Sequence, residues 1–176
     1  MEDLLKRLFL YELRQQCIFA IQSYNNIVNA FNNKDGDKIW LNLELFLVAA
    51  AKISIIFWPQ GPKYKKRGEE LRTLLSIDKT VAFNSRDPRN HLEHFDERLE
   101  DWYFNSKDKN LMDKSIVPET TINTGNFDYL RAFVTRRFVF KFLNDEYEIK
   151  PIAESINELI PKVENELNKL LPTGSP

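Results

Sequence analysis

Residues 86–102, RDPRNHLEHFDERLEDW, hold both histidines of the 176-residue chain, together with three arginines and six acids. His91 and His94 stand three apart, and Arg89 and Asn90 come immediately before them. An imidazole with an unperturbed pKa near ~6.5 takes or gives a proton around neutral pH. A guanidinium grips two oxygens of a phosphate at once. Residue types and spacing therefore point to acid–base chemistry at a phosphate. A metal site is the competing reading, with His91-x-x-His94 supplying two imidazoles and Glu97 or Asp101 a carboxylate. It lacks an HExxH pattern, a partner cysteine and a third histidine. The di-iron bundle motif wants a glutamate three residues before a histidine; here those positions hold Pro88 and His91. No metal is expected.

The element that must position these groups reads as a helix. Asp87 suits an N-cap and Pro88 the first helical position, where a missing N–H costs nothing. Leu92, Phe95, Leu99 and Trp102 are spaced by three, four and three, which predicts one stripe facing the core. At roughly 100° per residue, His94 lies about 120° from the centre of that stripe and His91 about 60°. His94 should therefore face outward and His91 lean inward. Asn90, His94 and Arg98 follow one another at four-residue intervals on one face. Arg89 in the first turn opposes the helix dipole, at a cost of about 0.3–1 kcal/mol. The free N–H groups of the same turn favour an anion. Glu93, four residues on, is placed to pair with Arg89. Arg86 and His91 make a second, weaker frame of the same spacing, with Pro88 inside it.

RNHLEH, with Arg89, Asn90 and His94, resembles the Arg-x(4–6)-His motif of the HEPN superfamily, in which a polar residue commonly follows the arginine. The resemblance implies a small helical bundle working as a homodimer, with the two motifs meeting at the interface. It further implies a metal-independent endoribonuclease without a cofactor. His94 would act as general acid or base, Arg89 would bind the scissile phosphate, and Asn90 would orient phosphate or imidazole. Arg98, His91 and Arg86 are the candidate substrate contacts around them. The products would be a cyclic phosphate and a free 5′-hydroxyl. Such proteins serve in intracellular defence or as toxins, so RNA and an antitoxin or other regulatory protein are the partners implied. The alternative is a HEPN-like bundle without catalysis that binds a protein partner or a nucleotide.

The rest of the chain reads as the scaffold. Hydrophobic residues make up 43% and charged residues 29%, and the formal net charge is −1. That composition fits a soluble globular domain and gives no global attraction to nucleic acid or anionic lipid. Cations for RNA would have to come from local runs: Lys63, Lys65, Lys66 and Arg67, or Arg131, Arg136, Arg137 and Lys141. The five glycines form no phosphate-binding loop. The single cysteine, Cys17, next to Ile18 and Phe19, reads as a buried thiol and fits a reducing, cytoplasmic setting. Ile39 to Trp58 is long enough to span a bilayer, yet Glu44, Lys52 and Asn42 interrupt it, so a core helix is expected and no membrane.

Leu4, Leu5, Leu8, Phe9, Leu13, Phe19, Ile27, Val28 and Phe31 suggest a long amphipathic first helix, closed by the NNKDGDK turn. A second helix runs from about Lys38 to Phe57 and stops at Pro59; KYKKRGEELRTLLSI gives a third. The polar run from Asn105 to Asn126 reads as a surface loop. Alternation through Phe138, Phe140 and Phe142, a turn at Asn144-Asp145, then Tyr147 and Ile149 predict a hairpin. A last helix begins near Pro151, and Pro161 inside it predicts a kink. Trp40, Trp58 and Trp102 suit core or interface packing, and the closing LPTGSP reads as a frayed end. The expected fold is mainly α, a four- to five-helix bundle with a small β-hairpin before the last helix, forming one domain over residues 1–176.

Overall fold

The computed structural model describes residues 1–118 and 127–170, and is mainly helical with a small strand region before the last helix. Helix α1 (Asp3–Asn32) buries Leu10, Leu13, Cys17, Ala20 and Ile27, a spacing that repeats on one face of a helix. Leu4, Leu5, Leu8, Phe19 and Phe31, expected on the same stripe, are exposed. The buried stripe thus takes in small Cys17 and Ala20 and leaves several of the large apolar residues outside it. Burial pushes the Cys17 thiol up to about 12, so it stays protonated.

The chain turns at Lys34, whose φ is 56°, and Asp35 caps α2 (Gly36–Phe57) by accepting from the Lys38 N–H at 3.1 Å. This helix is apolar and long enough to cross a membrane, and two thirds of its most apolar window is buried inside the fold. It is the central helix of the core, against α1 along its length. After Pro59 comes α3 (Lys65–Leu75). A side chain at Gly68 would meet the Phe57 carbonyl and the Pro59 ring, so this close approach needs a glycine.

Helices α4 (Asp87–Glu93) and α5 (Phe95–Asn105) replace the single continuous helix expected over 86–102. Asp87 is the first helical residue and Arg86 the cap, one position from the expected start, a difference within ordinary boundary scatter. Among the described residues, six short strands follow: β1 (Leu111–Met112), β2 (Ser115–Val117), β3 (Asp128–Tyr129), β4 (Arg131–Val134), β5 (Val139–Phe142) and β6 (Asp145–Glu148). The chain ends with α6 (Ile149–Lys169), which continues through Pro161.

The hairpin expected before the last helix is β5–β6. It belongs to a four-stranded sheet in the order β2-β4-β5-β6, with β2 parallel to β4 and the other pairs antiparallel. Phe133, Phe140 and Tyr147 stand opposite one another across β4, β5 and β6. Phe133, Phe140 and Phe142 are fully buried among the helices. The stretch read as a surface loop contains β1 and β2; its residues 119–126, like the LPTGSP end, lie outside the described residues. Strands of two or three residues carry too little alternation to be read from sequence. Pairing of β1 with β3 and of β2 with β4 makes them strands.

Candidate functional site

Asp87 and Pro88 begin α4. The Ser85 hydroxyl donates to Asp87 at 2.9 Å, and the Asp87 N–H donates back to Ser85 at 3.1 Å. Pro88 is buried, so this end of α4 is fixed against the body of the fold. Arg89 and Asn90 follow half-buried, and both of their N–H groups donate to the Arg86 carbonyl.

His91 points inward. Its residue is only 8% exposed, its ring stacks on Phe142 at 4.6 Å, and its Nε2 lies 2.8 Å from the Tyr147 hydroxyl. Asp145 stands 3.3 Å from the same nitrogen. Among the described residues, the His91 Nδ1 has no hydrogen-bond partner. Burial lowers the imidazole pKa below its ordinary value, against the pull of Asp145. Burial, reinforced by the charge on Asp145, pushes the Tyr147 phenol up to about 12. His91 is therefore a neutral group that ties α4 to β5 and β6. The expected inward lean is correct. Its partners Asp145, Tyr147 and Phe142 were not foreseen as part of the site, although the predicted hairpin contained all three.

His94 points outward. It occupies the break between α4 and α5, at φ −103° and ψ 33°. Its N–H still donates to Asn90 and its carbonyl still accepts from Arg98, both at 3.0 Å. Two separate anchorages account for the change of direction. Pro88 and His91 hold α4 to the core. On α5, Phe95 lies under the Arg131 guanidinium at 4.4 Å, and the Trp102 indole N–H donates to Asp128 at 2.7 Å. Leu92, Phe95, Leu99 and Trp102 are the half-buried stripe the spacing predicts. The His94 side chain is 54% exposed, with the Glu97 carboxylate 3.4 Å from its Nδ1. The Arg89 guanidinium is ion-paired with Glu93, as the spacing anticipated.

The structure thus sets Arg89, Asn90 and, one turn on, His94 outside the core, with Glu93 paired to Arg89 and the Glu97 carboxylate beside His94. Arg98 is exposed one turn further on. Arg86 caps α4 through its backbone, and His91 belongs to the interior. His91 and His94 do not share a site. Among the described residues, no group of three or more His, Cys, Asp and Glu side chains is placed to hold a metal ion.

The basic runs divide in the same way. Arg131 is held by Asp113 through two contacts at 2.8 and 2.5 Å. Arg67 lies over the Phe9 ring at 4.6 Å, and Arg137 is bound by Glu146 at 2.9 Å. These are structural. Lys63, Lys65, Lys66 and Arg136 are exposed. Comparison with protein-family models, with curated proteins and with solved structures returned no match.

Proposed function

We propose that the chain is a metal-independent endoribonuclease of HEPN type that acts as a dimer. His94 is its general acid or base, and Arg89 and Asn90 hold the scissile phosphate. The observation that carries this reading is the exposure of His94 at the α4–α5 junction of a mainly helical fold, one helical turn after Arg89 and Asn90. An imidazole there is open to a polymer substrate, as proton transfer from a ribose 2′-hydroxyl requires. The ion pairs do not close the site. Exposed helix pairs are worth only about 0.3–0.5 kcal/mol, so a phosphate can displace Glu93 from Arg89. Phe104, on the same helix as the residues that follow His94, is 78% exposed and suits contact with a second copy.

Purified protein incubated with mixed RNAs in the presence of a chelator tests the proposal. Cleavage leaving cyclic phosphate ends is expected, with His94→Ala reducing it about 100-fold or more, the range for a lost general acid–base group. Absence of cleavage, or cleavage unchanged in His94→Ala, would overturn it.

A second reading, a HEPN-like module that binds a protein or nucleotide without catalysis, is favoured by the two carboxylates. Glu93 is paired with Arg89, and the Glu97 carboxylate lies beside His94. Glu93→Gln separates the readings: a freed Arg89 raises cleavage if the site is catalytic and changes nothing in an inert one.

A further inference from the structure

Beyond His94, α5 forms one wall of a cleft of about 400 Å³ whose other wall is the end of the sheet. Arg98, Asp101 and Trp102 line it from the helix, and Tyr129, Lys141 and Asn144 from the sheet. The volume lies within the ~300–1,000 Å³ typical of small-molecule clefts. Its chemistry is mixed in a particular way. Trp102 and Tyr129, with Phe127 beside Tyr129 in an edge-to-face pair at 5.3 Å, supply aromatic surface. Arg98 makes no ion pair among the described residues, and the nearest carboxylate to Lys141 is that of Glu146 at 3.9 Å. Arg98 is thus without an ion-pair partner among the described residues, whereas Lys141 shares the Glu146 carboxylate with Arg137. Asp128, which also lines the cleft, is engaged by the Trp102 indole at 2.7 Å. That bond fixes the ring and leaves the second carboxylate oxygen of Asp128 able to accept from a donor. Asn105 and Asn144 add primary amides, which both donate and accept.

We infer that this cleft binds an unstacked base of single-stranded RNA, together with its phosphate, next to the bond that His94 addresses. Aromatic surface takes the flat face of any base, amides and a carboxylate meet its polar edge, and Arg98 and Lys141 meet the phosphate. Register on the helix supplies the link. The Arg98 N–H donates to the His94 carbonyl, so the cleft opens one helical turn from the imidazole. Duplex RNA keeps its bases stacked and paired inside the helix and cannot offer one to such a recess. The inference rests on the nuclease reading for its meaning, but binding can be measured without turnover.

The test uses the full chain carrying His94→Ala and a labelled RNA octamer, single-stranded or as a blunt duplex, followed by fluorescence anisotropy. Single-stranded RNA should bind at least tenfold more tightly than the duplex. Adding Arg98→Ala or Trp102→Leu should weaken it about fivefold or more, the lower end of what a lost stacking or phosphate contact costs. Trp102 also anchors α5, so Arg98→Ala, at an exposed position, is the deciding variant. No binding by the parent, equal binding of the two RNAs, or binding unchanged in Arg98→Ala would overturn the inference. Arg98-dependent binding without any cleavage by the unmutated chain would retain the cleft and discard the nuclease. Cleavage dependent on His94 but indifferent to Arg98 would do the reverse.

Discussion

The α1–α2 hairpin and the α4–α5 segment are built to different specifications. In the hairpin, with α6 laid against α1, residues such as Leu13, Ile27, Leu43, Phe46 and Phe57 are wholly removed from solvent. In α5 no residue is buried. The segment is held at a few points: the His91–Tyr147 bond, Phe95 under Arg131, and the Trp102–Asp128 bond. The first region holds the buried core, and the second holds the exposed His94 and Arg98 on few anchoring contacts. The two histidines show the division within one turn, since His91 serves the scaffold and His94 faces outward.

Substitutions can break that comparison. The largest effect belongs to the hairpin: Phe46→Ala should cost about 3–5 kcal/mol, as loss of a buried aromatic ring does, measured by urea unfolding. A loss below 1 kcal/mol would mean that the centre of the fold lies elsewhere. Next comes the tie between the two regions. Tyr147→Phe leaves the buried His91 Nε2 without its phenol partner and should cost about 1–3 kcal/mol.

The same tie gives a pH dependence. The folded-state pKa of His91 is lowered, so the unfolded chain takes up the proton first. Its contribution to stability is present above the unfolded value of about 6.5 and is lost as pH falls through the folded value. Denaturation midpoints between pH 7 and 5 should drop in the natural chain and drop less in His91→Leu. At the other extreme, the raised Tyr147 pKa favours the neutral phenol in the fold. Stability is then present below pH ~10 and lost as pH rises toward and through the folded value. The smallest effect is expected at His94: as a half-exposed side chain with one weak pair, His94→Ala should change stability by no more than about 0.5 kcal/mol. A larger loss would make His94 a structural residue and remove the contrast with His91.

Much of this arrangement was legible in the residues themselves. The Leu92-Phe95-Leu99-Trp102 spacing placed one histidine toward the core and the other away from it, because a helix has a fixed angular period. The alternating phenylalanines announced the hairpin, and Pro59 the end of the second helix. Local rules failed where distant segments decide. The short strands β1 to β4 exist through their pairing with one another and with β5, and no periodicity of two or three residues could announce them. The outward turn of Leu4, Leu8 and Phe19 follows from which face of α1 meets α2 and α6.

The sequence by itself determined the helical periods, the exposure of His94, and the placing of Arg89 within reach of Glu93, all set by covalent spacing along one helix. Only the tertiary structure decided that His91 would be locked to Tyr147 and Asp145, that the helix would break at His94 between two anchorages, and that a cleft would open beside Arg98. Each of these needs side chains from strands dozens of residues away, and chain spacing carries no information about which of them arrive.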